Sequence, residues 1–199
     1  MKFVERIRST RDLSSLPVGQ NVVVIGGGNT AIDISIQMKR LGAEFVTLAY
    51  RRDESNMNAT VVEREHARHE GVMVKTFIKP HRILANLEKP KSVGGIEFEY
   101  TVKQPDGSVK GTERFMKLKA DQVFKAIGQK FTPDCFKNSK EIPALDERTR
   151  KLKVSNELQT SLTGVFAGGD CIPGQDLTVS SVQHGKIAAR AIHKHLGFK

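Results

Sequence analysis

The chain has 199 residues, 38% of them hydrophobic and 27% charged, which is the balance of a globular protein with one or two modest cores. No apolar run is long enough to span a bilayer, and the opening Met1-Lys2-Phe3-Val4-Glu5-Arg6 lacks a signal-peptide core, so a cytoplasmic protein without membrane contact is expected. The formal charge of +10 is spread along the chain, and with no Trp and two Tyr the platforms for base stacking are scarce, so nucleic acid is not the expected partner.

The elements follow in order. Residues 2–9 have the pattern of a short helix, and Leu16-Pro17-Val18-Gly19-Gln20 closes a linker that breaks it. Val22-Val23-Val24-Ile25 then predicts a buried strand, and Gly26-Gly27-Gly28-Asn29-Thr30-Ala31 a glycine turn into a helix. Gly26 permits the tight turn, and Gly28 lets backbone N–H groups approach a pyrophosphate at the helix N-terminus. Ala31 stands where a third glycine often does. Ala31, Ile34, Met38 and Leu41 form one apolar stripe, and Gly42 ends the helix.

A second strand, Phe45-Val46-Thr47-Leu48-Ala49-Tyr50, runs into Arg51 and Arg52. In NAD-binding versions of this unit an acidic side chain takes the ribose hydroxyl at that strand end. Two guanidinium groups there point instead to a 2′-phosphate, favouring NADPH, with NADH the alternative. Asp53 and Glu54 follow directly, so the local charge is mixed, and the lesser alternative is that both arginines are solvated loop residues. Residues 60–70 carry helical charge patterning before Gly71, and Val72-Met73-Val74 starts a further strand.

Alternating segments at 83–87, 95–102 and 114–118 predict an antiparallel meander, with Pro105-Asp106-Gly107 as one turn. Residues 120–128 read as a strand leaving that unit. The expected organisation is a linker and remnant helix over 1–20, an NAD(P)H-binding Rossmann-like α/β domain over 21–126 with the meander inserted, and a separate segment over 127–199. That segment is polar and loop-rich until Gly164-Val165-Phe166-Ala167-Gly168-Gly169-Asp170. A long helix over 177–196 follows, expected to bury Val179, Val182, Ile187, Ala188, Ala191 and Ile192. Cys135 and Cys171 form no CxxC motif, no metal site is expected, and Cys135 reads as a buried thiol. The six histidines are dispersed, and no catalytic residue is nominated.

The string Gly164-Val165-Phe166-Ala167-Gly168-Gly169-Asp170 resembles the second flavin motif of the two-dinucleotide-domain flavoproteins. Within them, the strings 26–33, Tyr50-Arg51-Arg52 with Met57, and Ala167-Gly168-Gly169-Asp170-Cys171 through Asp176-Leu177-Thr178-Val179 are most similar to the glutamate synthase small subunit and the flavin-bearing part of dihydropyrimidine dehydrogenase. The resemblance implies that Gly169 and Asp170 meet the ribityl chain of FAD, with backbone donors near Thr178 and Val179 beside the flavin ring. Ala126, Ile127, Gly128 and Gln129 would be the crossover between the two domains, and 127–199 the C-terminal return segment of an FAD-binding domain.

Such proteins open with an FAD half carrying its own glycine motif, which nothing before residue 21 resembles. The chain is therefore expected to be a C-terminal portion needing that half in cis or in trans. Its expected role is hydride transfer from NADPH to FAD and electron delivery to an iron–sulfur or synthase subunit, with the chain inactive alone. The alternative is a non-catalytic dinucleotide-binding module.

Overall fold

Val22, Val23 and Val24 are all buried, because β1 (Asn21–Ile25) is an inner strand of a sheet covered on both faces. It pairs in parallel with β2 (Phe45–Ala49), which pairs in parallel with β3 (Val72–Lys75). Three antiparallel strands follow in the chain, β4 (Ile78–Ala85), β5 (Val93–Lys103) and β6 (Val109–Lys119). Then β7 (Gln122–Lys125) returns to the free side of β1, giving the parallel order β3-β2-β1-β7. This computed structural model describes residues 2–174 and 176–197. The chain divides into two compact units, the first ending at Gly128 and the second starting at Gln129.

In the first unit, α1 (Lys2–Ser9) precedes the sheet, while α2 (Asn29–Arg40) and α3 (Val61–His69) cover one of its faces. Ala31, Ile32, Ile34, Met38 and Ala67 pack there with Val22, Val24, Val46 and Leu48. Thr60 caps α3 reciprocally with Glu63, which fixes its first turn. Residues 2–20 belong to this unit too: α1 sets Phe3 against Phe124 at a ring separation of 4.8 Å. Gln122 then donates to Pro17 O and accepts from Gly19 N, both at 2.8 Å, so the linker is tied to β7.

The meander covers the other face, where a further helix would stand in a plain doubly wound domain. Ile78, Ile96, Phe98 and Ala120 pack with Val23 and Ala49. Its strands run longer than the alternation predicts. β4 starts at Ile78 rather than Ile83 because a register shift between Pro80 and Arg82 absorbs the missing proline N–H. It also ends earlier, leaving Leu87 almost fully exposed. Glu97 and Glu99 are buried, which strand alternation does not foretell, with Arg82 on Glu97 and Lys79 on Glu99, each at 2.8 Å.

The second unit has a small core of Leu152, Leu158 and Ile172, with Ile187 and Ala188 of α4 (Thr178–His195) against it. Two expectations change here. Val179, Val182 and Ile192 are exposed rather than buried, since only the Ile187–Ala188 side of α4 reaches that core. Cys135 is exposed, because it lies in a short 3-10 turn whose Phe136 takes the inward position. Phe166, within the flavin-like string, makes an isolated antiparallel bridge with Gln159. Among the described residues no helix is long and apolar enough to cross a membrane.

Phe98 is fully buried between the two sheets, so Phe98→Ala should destabilise the first unit by about 3–5 kcal/mol, measured by denaturant unfolding. Asp121 accepts from Asn21 N at 2.7 Å, joining the starts of β1 and β7. That bond holds its carboxyl below the ordinary value of 3.8. A lowered carboxyl stabilises the fold above its unfolded value and ceases to do so as pH falls through the folded one. Acid titration of stability should therefore be shallower in Asp121→Asn than in the parent chain over that range.

Candidate functional site

The order of the parallel strands reverses at β1, with β2 on one side and β7 on the other, and the carboxyl ends of all three meet one edge. Such a reversal opens a crevice for a ligand. The chain leaves β1 through Gly26, whose N–H donates to Ala49 O at 3.0 Å. Gly26 has φ +153, and a Cβ there would overlap the carbonyl of Ala126, at the end of β7. Only glycine lets the two strand ends approach this closely.

Gly27 is close-packed for another reason. A Cβ would lie 2.5 Å from the ring of Tyr50, and Gly27 O accepts from Ala59 N at 3.1 Å. Tyr50 in turn donates its hydroxyl to Asn56 O at 2.7 Å. Gly28 differs from both: it is the N-cap of α2, carries no capping side chain, and a Cβ there would meet nothing within 4 Å. Ala31 N and Ile32 N bond back to Gly28 O, which leaves the amides of Asn29 and Thr30 directed out of the first turn. Gly26, Gly27, Gly28, Asn29, Thr30 and Ala31 thus form a cradle with an open mouth and outward donors.

Arg51 and Arg52 follow β2 at the same edge, Arg51 exposed and Arg52 half-buried. The two acidic residues beside them do not neutralise them. Asp53 turns back onto Ser55, accepting from its hydroxyl at 2.6 Å and its amide at 2.9 Å, and these bonds hold its carboxyl below the usual range. Glu54 is taken by α3, where Arg68 pairs with it and Arg64 Nε lies at 3.6 Å. Among the described residues no carboxylate pairs with Arg51 or Arg52, and Arg52 Nε is buried without a hydrogen-bond partner. An unpartnered buried donor is costly unless a ligand completes it. The donor set, the glycine cradle and this unmet guanidinium fit the phosphates of a dinucleotide.

The other expected site residues are distributed as follows. Ala126 lies against the α2 side of the sheet, Ile127 is exposed and Gly128 has φ +95, so residues 126–129 straddle the division between the units. In the second unit Gly169, with φ +71, and Asp170 share a 3-10 turn, and Asp170 is exposed with no partner among the described residues. Thr178 and Val179 form the exposed first turn of α4, whose N-cap Leu177 makes no side-chain bond. His184, which no motif singles out, accepts from Gly169 N through Nδ1 at 3.0 Å. A histidine on a helix gives no advance signal that its ring will hold a glycine turn.

A family model described as pyridine nucleotide-disulphide oxidoreductase matches residues 1–185. The chain is 37% identical over 186 residues to the glutamate synthase [NADPH] small chain of Escherichia coli, covering 87% of this chain and 38% of that one. It is 35% identical over 206 residues to the NADPH-Fe(3+) oxidoreductase subunit beta of Geobacter sulfurreducens, covering 90% of this chain and 30% of that one. The chain thus spans well under half the length of these relatives. Its fold is that of thioredoxin reductases from T. acidophilum, at TM-score 0.69, 23% identity and coverage of 87% and 52%, and Lactococcus lactis, at 0.72, 19%, and 92% and 55%.

Gly26→Ala should lower the melting temperature by several degrees, because the methyl meets the Ala126 carbonyl. Gly28→Ala, with open space around it, should leave thermal stability near that of the parent chain. Thermal unfolding of the two variants side by side checks the contrast.

Proposed function

We propose, since the chain belongs to the pyridine nucleotide-disulphide oxidoreductase family, that its first unit binds NADPH and that it forms part of an enzyme passing electrons from NADPH through FAD to an iron–sulfur partner. Family membership implies FAD and NADPH as cofactors. The observation that carries the reading is the pair Arg51 and Arg52, unneutralised by Asp53 and Glu54, just past the end of β2, the strand beside the one that leads into the glycine turn.

In this reading the amides following Gly28 take the pyrophosphate, and the α2 dipole favours its charge. Arg51 and Arg52 take the 2′-phosphate through forked, charge-assisted bonds, which distinguishes NADPH from NADH. The names of two relatives, glutamate synthase [NADPH] small chain and NADPH-Fe(3+) oxidoreductase subunit beta, support that choice of nucleotide. They also support a multi-subunit setting, in which a synthase or reductase subunit receives the electrons.

When bound, the nicotinamide supplies a hydride and the flavin takes it up. This asks no acid or base of the chain: its residues bind, orient and exclude water. Asp170, with its unpaired carboxylate, would accept from the ribityl hydroxyls, beside Gly169. The amides of Thr178 and Val179, at an uncapped helix start, would face the flavin carbonyl and stabilise negative charge on the reduced ring. Ala126, Ile127, Gly128 and Gln129 would carry the chain from the nucleotide unit to the flavin unit. An FAD-binding half, in cis or in trans, would hold the adenosine end.

Replacing Arg51 and Arg52 together by alanine should weaken NADPH binding by roughly 1–3 kcal/mol for each charge-assisted hydrogen bond removed. NADH affinity should change far less. Calorimetry with both nucleotides decides the matter, and equal losses would remove the 2′-phosphate assignment.

A further inference from the structure

The meander does more than cover a sheet face. Thr101 of β5 is buried, with 4% of its surface exposed, and its hydroxyl donates to Arg51 O at 2.8 Å. Its amide donates to Phe77 O, also at 2.8 Å. Phe77 in turn donates its N–H to Arg52 O at 3.3 Å and sits at φ +55, a left-handed conformation that a bulky side chain avoids. Such a conformation persists where neighbouring bonds impose it. Both backbone carbonyls of the arginine pair are therefore fixed, one directly by Thr101 and the other through a strained residue that Thr101 also holds. The register shift between Glu99 and Thr101 in the pairing with β6 is the irregularity at which this strand meets the loop.

We propose that Thr101 is a specificity-determining positioning residue, which sets the backbone of Arg51 and Arg52 so that their guanidinium groups meet the 2′-phosphate of NADPH. The inference rests on the assignment of that arginine pair to the 2′-phosphate. Thr101 touches no nucleotide itself. Its hydroxyl fixes the carbonyl from which the Arg51 side chain departs, and a long side chain converts a small backbone rotation into a displacement of its head. Without that bond a part-buried carbonyl loses its donor and the loop seeks another arrangement. The glycine cradle, held separately by Tyr50, Ala59 and Ala126, keeps its shape. Selectivity should then fall while the interactions common to both nucleotides survive.

The test is calorimetric titration of the full chain with NADPH and with NADH, for the parent, Thr101→Val, Thr101→Ser and Arg51→Ala, after circular dichroism shows each folded. Thr101→Val should raise the NADPH Kd about tenfold, the worth of one hydrogen bond, and leave the NADH Kd within about twofold. Thr101→Ser, which keeps the hydroxyl, should restore the preference if it folds as the parent does. Equal weakening of both nucleotides in Thr101→Val, or no change in either while Arg51→Ala selectively loses NADPH, overturns the proposal and leaves the arginine assignment standing. If Arg51→Ala itself loses no preference for NADPH, the assignment falls and the proposal with it.

Discussion

The contact on which the first unit depends is the approach of Gly26 to the carbonyl of Ala126. β1 has neighbours on both sides, and its exit must pass the end of β7 without a side chain. Ala126 N bonds to Ile25 O at 2.8 Å, so the two strand ends are joined at the same level where the glycine turn begins. The first turn of α2 is thereby pointed across the sheet edge rather than away from it. A larger residue at 26 would push β7 from β1 and tilt the outward amides. Closure of the sheet at this edge depends on one missing methyl group.

The second constraint is electrostatic. Arg51, Arg52, Asp53 and Glu54 in succession would neutralise one another in an unstructured loop. Local geometry prevents this. The 3-10 turn over Glu54–Asn56 gives Asp53 its own capping partner, Ser55, and α3 offers Arg64 and Arg68 to Glu54. Arg51 and Arg52 are left without a carboxylate partner among the described residues. The meander holds the same loop by its backbone, since Thr101 donates to Arg51 O and Phe77 to Arg52 O. A sheet inserted in place of a helix thus braces the strand end from below the edge, where a helix would present its own side chains and no ladder.

Much of this could be read from residue order. Val22-Val23-Val24-Ile25 is apolar without alternation because both faces are covered, and the stripe of Ala31, Ile34 and Met38 is buried as its spacing requires. The turn at Gln104 to Gly107 follows from Asp106 and Gly107. What stayed hidden depended on contacts between distant positions. Tyr50 beneath Gly27, Thr101 on Arg51 and His184 on Gly169 are long-range choices that no local period encodes. The buried Glu97 and Glu99 look like solvated strand residues until Arg82 and Lys79 are brought over them from the neighbouring strand.

The departures in the second unit have one physical cause. A helix with Val179, Val182, Ile187, Ala188 and Ile192 has apolar residues around more than one side, and spacing alone cannot say how many of those sides are covered. Here the buried hydrophobic cluster is Leu152, Leu158 and Ile172, and α4 meets it through Ile187 and Ala188. So small a buried set, with Pro143 and Thr160 beside it, supplies little of the area that holds a domain of this size together. Much of the unit's order must then reside in its backbone bonds: Leu152 N to Cys171 O, Ala167 N to Leu158 O and Thr160 N to Val165 O, each between 2.8 and 2.9 Å. The Gly169–His184 bond joins α4 to that network at the turn bearing Asp170. An exposed carboxylate on a glycine turn has little rigidity of its own, and a ring nitrogen of the packed helix supplies it.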